Sequence, residues 1–197
     1  MSYPVVRMLE EIVAEVKADV LTKIKANNLA SKQQLYPNMT VSEISEINYQ
    51  PAYVKEVVET LTEMKSSPAQ SGKQFPLIML IQLPEEHGTN SLGGIANLQI
   101  AICMDTEENW KWDDRYKYNF EPILYIIYDS LIEKIAESAY FAVEGGVAGV
   151  RHLKEDKPYW GAGAFRDGSG NKFADAVDAI LINNLSLTIQ NQNNCNQ

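Results

Sequence analysis

The 197 residues fit one domain, and a hydrophobic content of 45% argues against wholesale disorder. The 26 Asp and Glu outweigh 17 Lys and Arg, for a net charge of −9. The densest basic stretch, Lys111 to Lys117, is interleaved with Asp113 and Asp114. This balance argues against a chain that grips a phosphate backbone, which needs a basic patch. It is compatible with DNA passing nearby without sticking.

Cys103 sits in an apolar run and Cys195 in a polar tail, so no disulfide framework is expected, which fits a reducing compartment. The N-terminal residues lack a basic region followed by an apolar stretch, and no apolar run approaches the roughly 20 residues of a membrane span. The expectation is a soluble protein, made in a cytoplasm, with no membrane partner.

Residues 4–26 read as an amphipathic helix. Val5, Leu9, Ile12, Val13, Val16, Val20 and Ile24 recur at spacings of three and four, and Asn27-Asn28 suits the end. Residues 27–41 are polar and read as loop. A short strand is expected within 41–49. A second helix is expected over 51–65, opened by Pro51, with Val54, Val57, Val58, Leu61 and Met64 inward.

The run from Phe75 to Leu83 is apolar at both parities and bounded by Pro76 and Pro84, which fits a central strand buried on both faces. A polar turn is expected from Glu85 to Gly94, followed by a strand over 95–104 that pairs with the first as a hairpin. Residues 105–112 read as loop. A helix over 113–138 follows, with a kink or a late start near Phe120 because Pro122 lies inside it.

The glycine-rich stretch from Gly145 to Asn171 suggests a loose hairpin or an extended arm. Residues 178–189 are a strong strand. Ile180 and Ile182 share one parity and Leu185, Leu187 and Ile189 the other, so a bulge is expected at Asn183-Asn184. Residues 190–197 are almost all Asn and Gln and are expected to be a disordered tail. Together these elements predict a single α+β domain over 1–189. It has a small mixed or antiparallel sheet, about three flanking helices, and long loops or an arm.

Catalytic signatures are missing. His87 and His152 are the only histidines, and neither has ligands at zinc spacing. The segment Asp167 to Asn171 begins like a calcium loop, but Lys172 stands where the turn needs Gly, so a polar turn is the better reading. No nucleophile elbow is present. The glycines at 145–149 and 161–163 lack phosphate-loop spacing. The acidic pairs Glu85-Glu86, Glu107-Glu108 and Asp113-Asp114 read as solvated loop charges, with the last pair favouring a helix start. No catalytic residue, metal ligand or cofactor site is assigned. Trp110, Trp112 and Trp160 are all three tryptophans of the chain, and with Tyr159 they fall in loop or arm. They either cover the core or, with Phe165, anchor a protein interface, where Trp and Tyr are enriched.

Four segments carry a family resemblance: the strand from Phe75 to Ile81, the strand from Leu98 to Cys103, the helix from Arg115 to Tyr128, and the closing stretch from Tyr159-Trp160-Gly161 to Asp175 through Ile189. In this order the chain resembles the tail terminator and related neck proteins of tailed bacteriophages over roughly 75–189. The segments at 27–50 and 140–171 are longer than a minimal terminator needs. The resemblance implies a non-enzymatic virion protein, made in the host bacterial cytoplasm. It would form a homo-oligomeric ring, typically of six subunits. That ring would cap the tail tube, contact other neck and tube proteins, and let DNA pass unbound. Under it, Glu85, Glu86, Glu107 and Glu108 are the candidates to face the lumen. The alternative is a small enzyme or ligand-binding domain whose site is assembled only in the fold.

Overall fold

Helix α1 (Val5–Leu35) buries one stripe. Val5, Met8, Leu9, Ile12, Val13, Val16 and Val20 are all at most 3% exposed, while Glu10, Glu11 and Asp19 face solvent. The exposed pairs Arg7–Glu10 and Asp19–Lys23 each add little at this level of solvation. The structure is a computed structural model that describes residues 4–35, 46–51, 74–89, 93–160 and 177–190. The helix continues past Asn27-Asn28, where the sequence suggested a loop. Extending an existing helix adds one bond per residue fixed, and Leu29, Ala30, Lys32 and Gln33 are good helix formers.

The architecture is α+β, built on a mixed six-stranded sheet. Its strands are β1 (Asn48–Gln50), β2 (Leu77–Thr89), β3 (Gly93–Asp105), β4 (Phe141–Ala142), β5 (Leu153–Trp160) and β6 (Val177–Ile189). The order is β1-β2-β3-β6, and β4 and β5 share the outer edge of β6. Among the described residues only β1–β2 is parallel; β2–β3, β3–β6, β4–β6 and β5–β6 are antiparallel. The expected helix over 51–65 and the tail after 190 lie outside the described residues.

Both sheet faces are apolar, which is why β2 and the first half of β6 read as unbroken apolar runs. Ile78, Leu80, Ile100, Ile102, Ile180 and Ile182 face the helices. Leu77, Met79, Ala101, Cys103, Ala179 and Leu181 face the other way, with Phe75, Ile81 and Trp160 packed on them. The bulge falls where the parity change placed it. Asn183 and Asn184 together oppose Gln99, since Leu98 pairs with Leu185 and Ile100 with Ile182, and Asn184 has φ 55°. The extra residue turns Leu185, Leu187 and Ile189 back toward the helices.

Three expectations are corrected. The β2–β3 ladder runs out to Thr89 and Gly93, so Glu85 and Glu86 lie in strand rather than in a turn. The helix starts at Trp112 rather than near Phe120. Trp112–Arg115, Tyr116–Leu124 and Tyr125–Glu137 join into one helix, α2, over 112–137. Its middle segment is a π-helix holding Pro122. There the backbone bond reaches five residues back, as from Tyr125 N–H to Phe120 O. An α-turn would press the proline ring against the carbonyl four residues earlier, and the wider turn makes room for it. Finally, the described part of the 145–171 stretch, read as a loose hairpin or an arm, is neither: after β4 it forms a 3-10 turn (Gly146–Gly149) and then β5, laid along β6. Residues 161–171 lie outside the described residues.

Candidate subunit interface

The exposed aromatic surface is built on a buried charge. Asp178, 0% exposed, opens β6 in an otherwise apolar run. A carboxylate taken out of water needs partners. Asp178 accepts from Arg115 at 3.4 Å, from Asn119 Nδ2 at 2.8 Å and from the Tyr159 backbone N–H at 2.9 Å. Arg115, 5% exposed, also donates to Glu107 O at 2.9 Å, to Trp110 O at 3.0 Å and to Thr106 Oγ1. Asn119 Nδ2 reaches Asp105 O at 2.7 Å. One cluster thus ties the start of α2, the loop before it, the end of β5 and the start of β6.

Two rings stand on this base. Tyr159 has φ 52°, a left-handed backbone that an aromatic residue rarely adopts. Its N–H bond to Asp178 and the Arg115 guanidinium, 4.7 Å from its ring centre, hold it there, with 41% of the residue exposed. Trp112, 59% exposed, is the most exposed large hydrophobic residue among those described. Its ring lies 4.7 Å from Tyr116, which stacks in turn on Phe120 at 4.6 Å. The other two tryptophans sit deeper. Trp110 is half-buried against Tyr118 at 5.1 Å, and Trp160 is half-buried on the second sheet face. Phe165 lies outside the described residues.

The four candidate lumen carboxylates are not brought together. Glu85 and Glu86 pair along the backbone with Asn97 and Ala96, near one end of β3. Glu107 and Glu108 are exposed in the loop beyond Asp105, at the other end. Eight or more strand residues, roughly 27 Å, separate the pairs.

A second polar cluster flanks the aromatic surface. Tyr125 and Tyr116 donate to Asp156 Oδ2 at 2.6 and 3.3 Å, and Lys154 pairs with Asp156 Oδ1 at 3.3 Å while lying over the Tyr125 ring at 4.1 Å. His152 Nδ1 faces Val150 O at 2.8 Å, which fixes the proton on that nitrogen and leaves Nε2 to accept from the Tyr128 hydroxyl at 2.6 Å. Burial first, then the Asp156 carboxylate, pushes the Tyr125 and Tyr116 phenols upward; for Tyr128 it is burial, then Asp129. Phenols held protonated and tied to a carboxylate are poor proton shuttles near neutrality. Among the described residues no group of His, Cys, Asp and Glu could hold a metal ion, and Cys103 is free and buried.

An open cleft of about 700 Å³ lies on the other side of the fold, between the 143–149 loop and β6. It occupies the stretch of β6 between the partners of β5, which end at Asn183, and those of β4, which begin at Thr188. Ala142, Gly145, Ala148 and Leu187 line it, with Glu144 and Arg151.

No protein-family model, curated protein or solved structure gives a significant match to this chain.

Proposed function

We propose that this chain is the repeating subunit of a homo-oligomeric ring in a tailed phage. It would cap the tail tube and join it to the head around the DNA passage, without catalysis. The observation that carries the reading is the mounting of Trp112 and Tyr159. Two large rings are held out to solvent: Tyr159 by a buried, multiply bonded ion pair and at the cost of a disfavoured backbone, and Trp112 by packing on Tyr116 one turn further along the same helix. Pre-positioned aromatics of this kind lose little entropy on association and are frequent interface anchors. The net charge of −9 supports the passage part of the reading, because phosphates bind where Lys and Arg release counterions and an acidic wall gives them no such purchase. The separation of Glu85-Glu86 from Glu107-Glu108 would set two acidic levels if β3 runs along the passage axis.

Native mass spectrometry of the purified protein tests this. One closed oligomer of fixed number, six by the resemblance, is the expected result. A monomer at every concentration that binds a small molecule in the 143–149 cleft would replace the ring with a ligand-binding domain.

A further inference from the structure

We infer that neighbouring subunits meet head to tail, with Trp112 of one copy seated in the 143–149 cleft of the next. The inference rests on the ring reading and says how the ring is joined. The exposed apolar groups do not form one patch. Trp112 and Tyr159 lie at the start of α2 and the end of β5. The cleft lies toward the other end of the sheet, beside β4 and the last residues of β6, with Val147, 53% exposed, in the turn that forms its wall. Arg115, one turn on from Trp112, bonds Asp178, and the cleft takes residues 186–188, eight or more strand residues and roughly 26 Å further along β6, so Trp112 cannot reach its own cleft. A projecting ring and a hole at opposite ends of one molecule define a heterologous contact. Repeated, such a contact closes into a ring or runs on as a filament.

The hole is formed in advance. A Cβ on Gly149 would stand 1.9 Å from Glu144 O, and Gly145 and Gly146 have φ of 86° and 63°. The loop therefore closes on itself through positions that only glycine fills comfortably. A volume of about 700 Å³ accommodates an indole with room for its flanks. The charges match as well. Trp112 lies between exposed Lys111 and Asp113, and the cleft presents Glu144 and Arg151. None of the four has an ion-pair partner among the described residues. Seating the indole would bring Lys111 toward Glu144 and Asp113 toward Arg151, which fixes orientation more than it adds affinity.

Two variants test it: Trp112→Ala removes the ring, and Ala148→Arg plugs the cleft from an exposed turn position. Each is first shown to keep the wild-type circular dichroism spectrum and, at concentrations too low for assembly, the wild-type melting temperature. Light scattering behind size exclusion then reads mass at concentrations where the wild type assembles. Each variant alone is expected to be monomeric. Their equimolar mixture is expected to stop at a dimer, because only the Trp112 of one and the cleft of the other remain. A Lys111→Glu change should weaken assembly several-fold, and Lys111→Glu with Glu144→Lys should restore it. Wild-type-sized rings from either single variant, dimers from one variant alone, or a mixture that stays monomeric would each overturn the inference while the ring stands. A monomeric wild type would remove the ring reading itself.

Discussion

Arg115 and Asp178 meet at 3.4 Å across 63 positions of sequence, with side chains 6% and 0% exposed. The pair clips the start of α2 to the start of β6. Removing one partner of a buried, bonded pair leaves the other charge uncompensated and typically costs about 3–5 kcal/mol. Asp178→Ala should therefore lower unfolding free energy by about that amount, read by urea titration at fixed protein concentration. A loss below about 1 kcal/mol would mean that water replaces the carboxylate readily and that the clip is not structural.

Asn184 makes the bulge on the exposed side of β6 with φ 55°. Its left-handed backbone suits Gly or Asn and penalises a β-branched residue by roughly 1–2 kcal/mol. Asn184→Gly should be neutral or slightly stabilising, and Asn184→Val should lower the melting temperature. Equal melting temperatures for the two variants would show that the bulge relocates.

The Tyr125 hydroxyl donates to Asp156 Oδ2 at 2.6 Å. A hydrogen bond to a charged acceptor contributes about 1.5–3 kcal/mol, and Tyr116 remains to serve the same oxygen after its loss. Tyr125→Phe should accordingly cost about 1.5 kcal/mol in chemical denaturation, while Lys154 keeps a ring to lie over. A variant as stable as wild type would show that solvent satisfies Asp156.

The phenols of Tyr49, Tyr116, Tyr125 and Tyr128 are all pushed above their ordinary value of 10.0, burial being the first cause in each. A phenol with a raised folded-state pKa binds its proton more tightly folded than unfolded. Its contribution to stability is therefore complete below about pH 10 and is lost as pH rises beyond it. Tyrosinate absorbance during base titration should show these groups lagging an unfolded control, and the melting temperature should fall as pH climbs above 10. Coincident titration of the folded and unfolded chains would contradict the burial of these hydroxyls.

Much of the sheet was legible because β6 announces its own geometry. The shift of parity between Ile182 and Leu185 can be satisfied only by an extra residue, and Asn183-Asn184 supplied the residue types for it. Helix α2 was legible as a stripe but not in its middle. A proline at 122 signals a break to any reading based on α-turns, and the π-helix that absorbs it depends on tertiary packing around Phe120 and Ile123. β5 was unreadable for a different reason. Half of Leu153 to Trp160 is charged because the strand lies at a sheet edge, where Lys and Pro discourage further pairing, and such a strand carries no apolar alternation. The clip under the aromatic surface left one trace: Asp178 stands inside an apolar strand and had to find a partner. Nothing local names Arg115 and Asn119, spaced four apart on one helix face, as those partners.

Electron microscopy of the purified wild-type assembly tests the central claim most directly. The expected particle is a closed ring with an open lumen whose wall is mainly Asp and Glu, and with Trp112 buried between subunits. A particle with no ring, or a ring whose inner wall is mainly Lys and Arg, would contradict it.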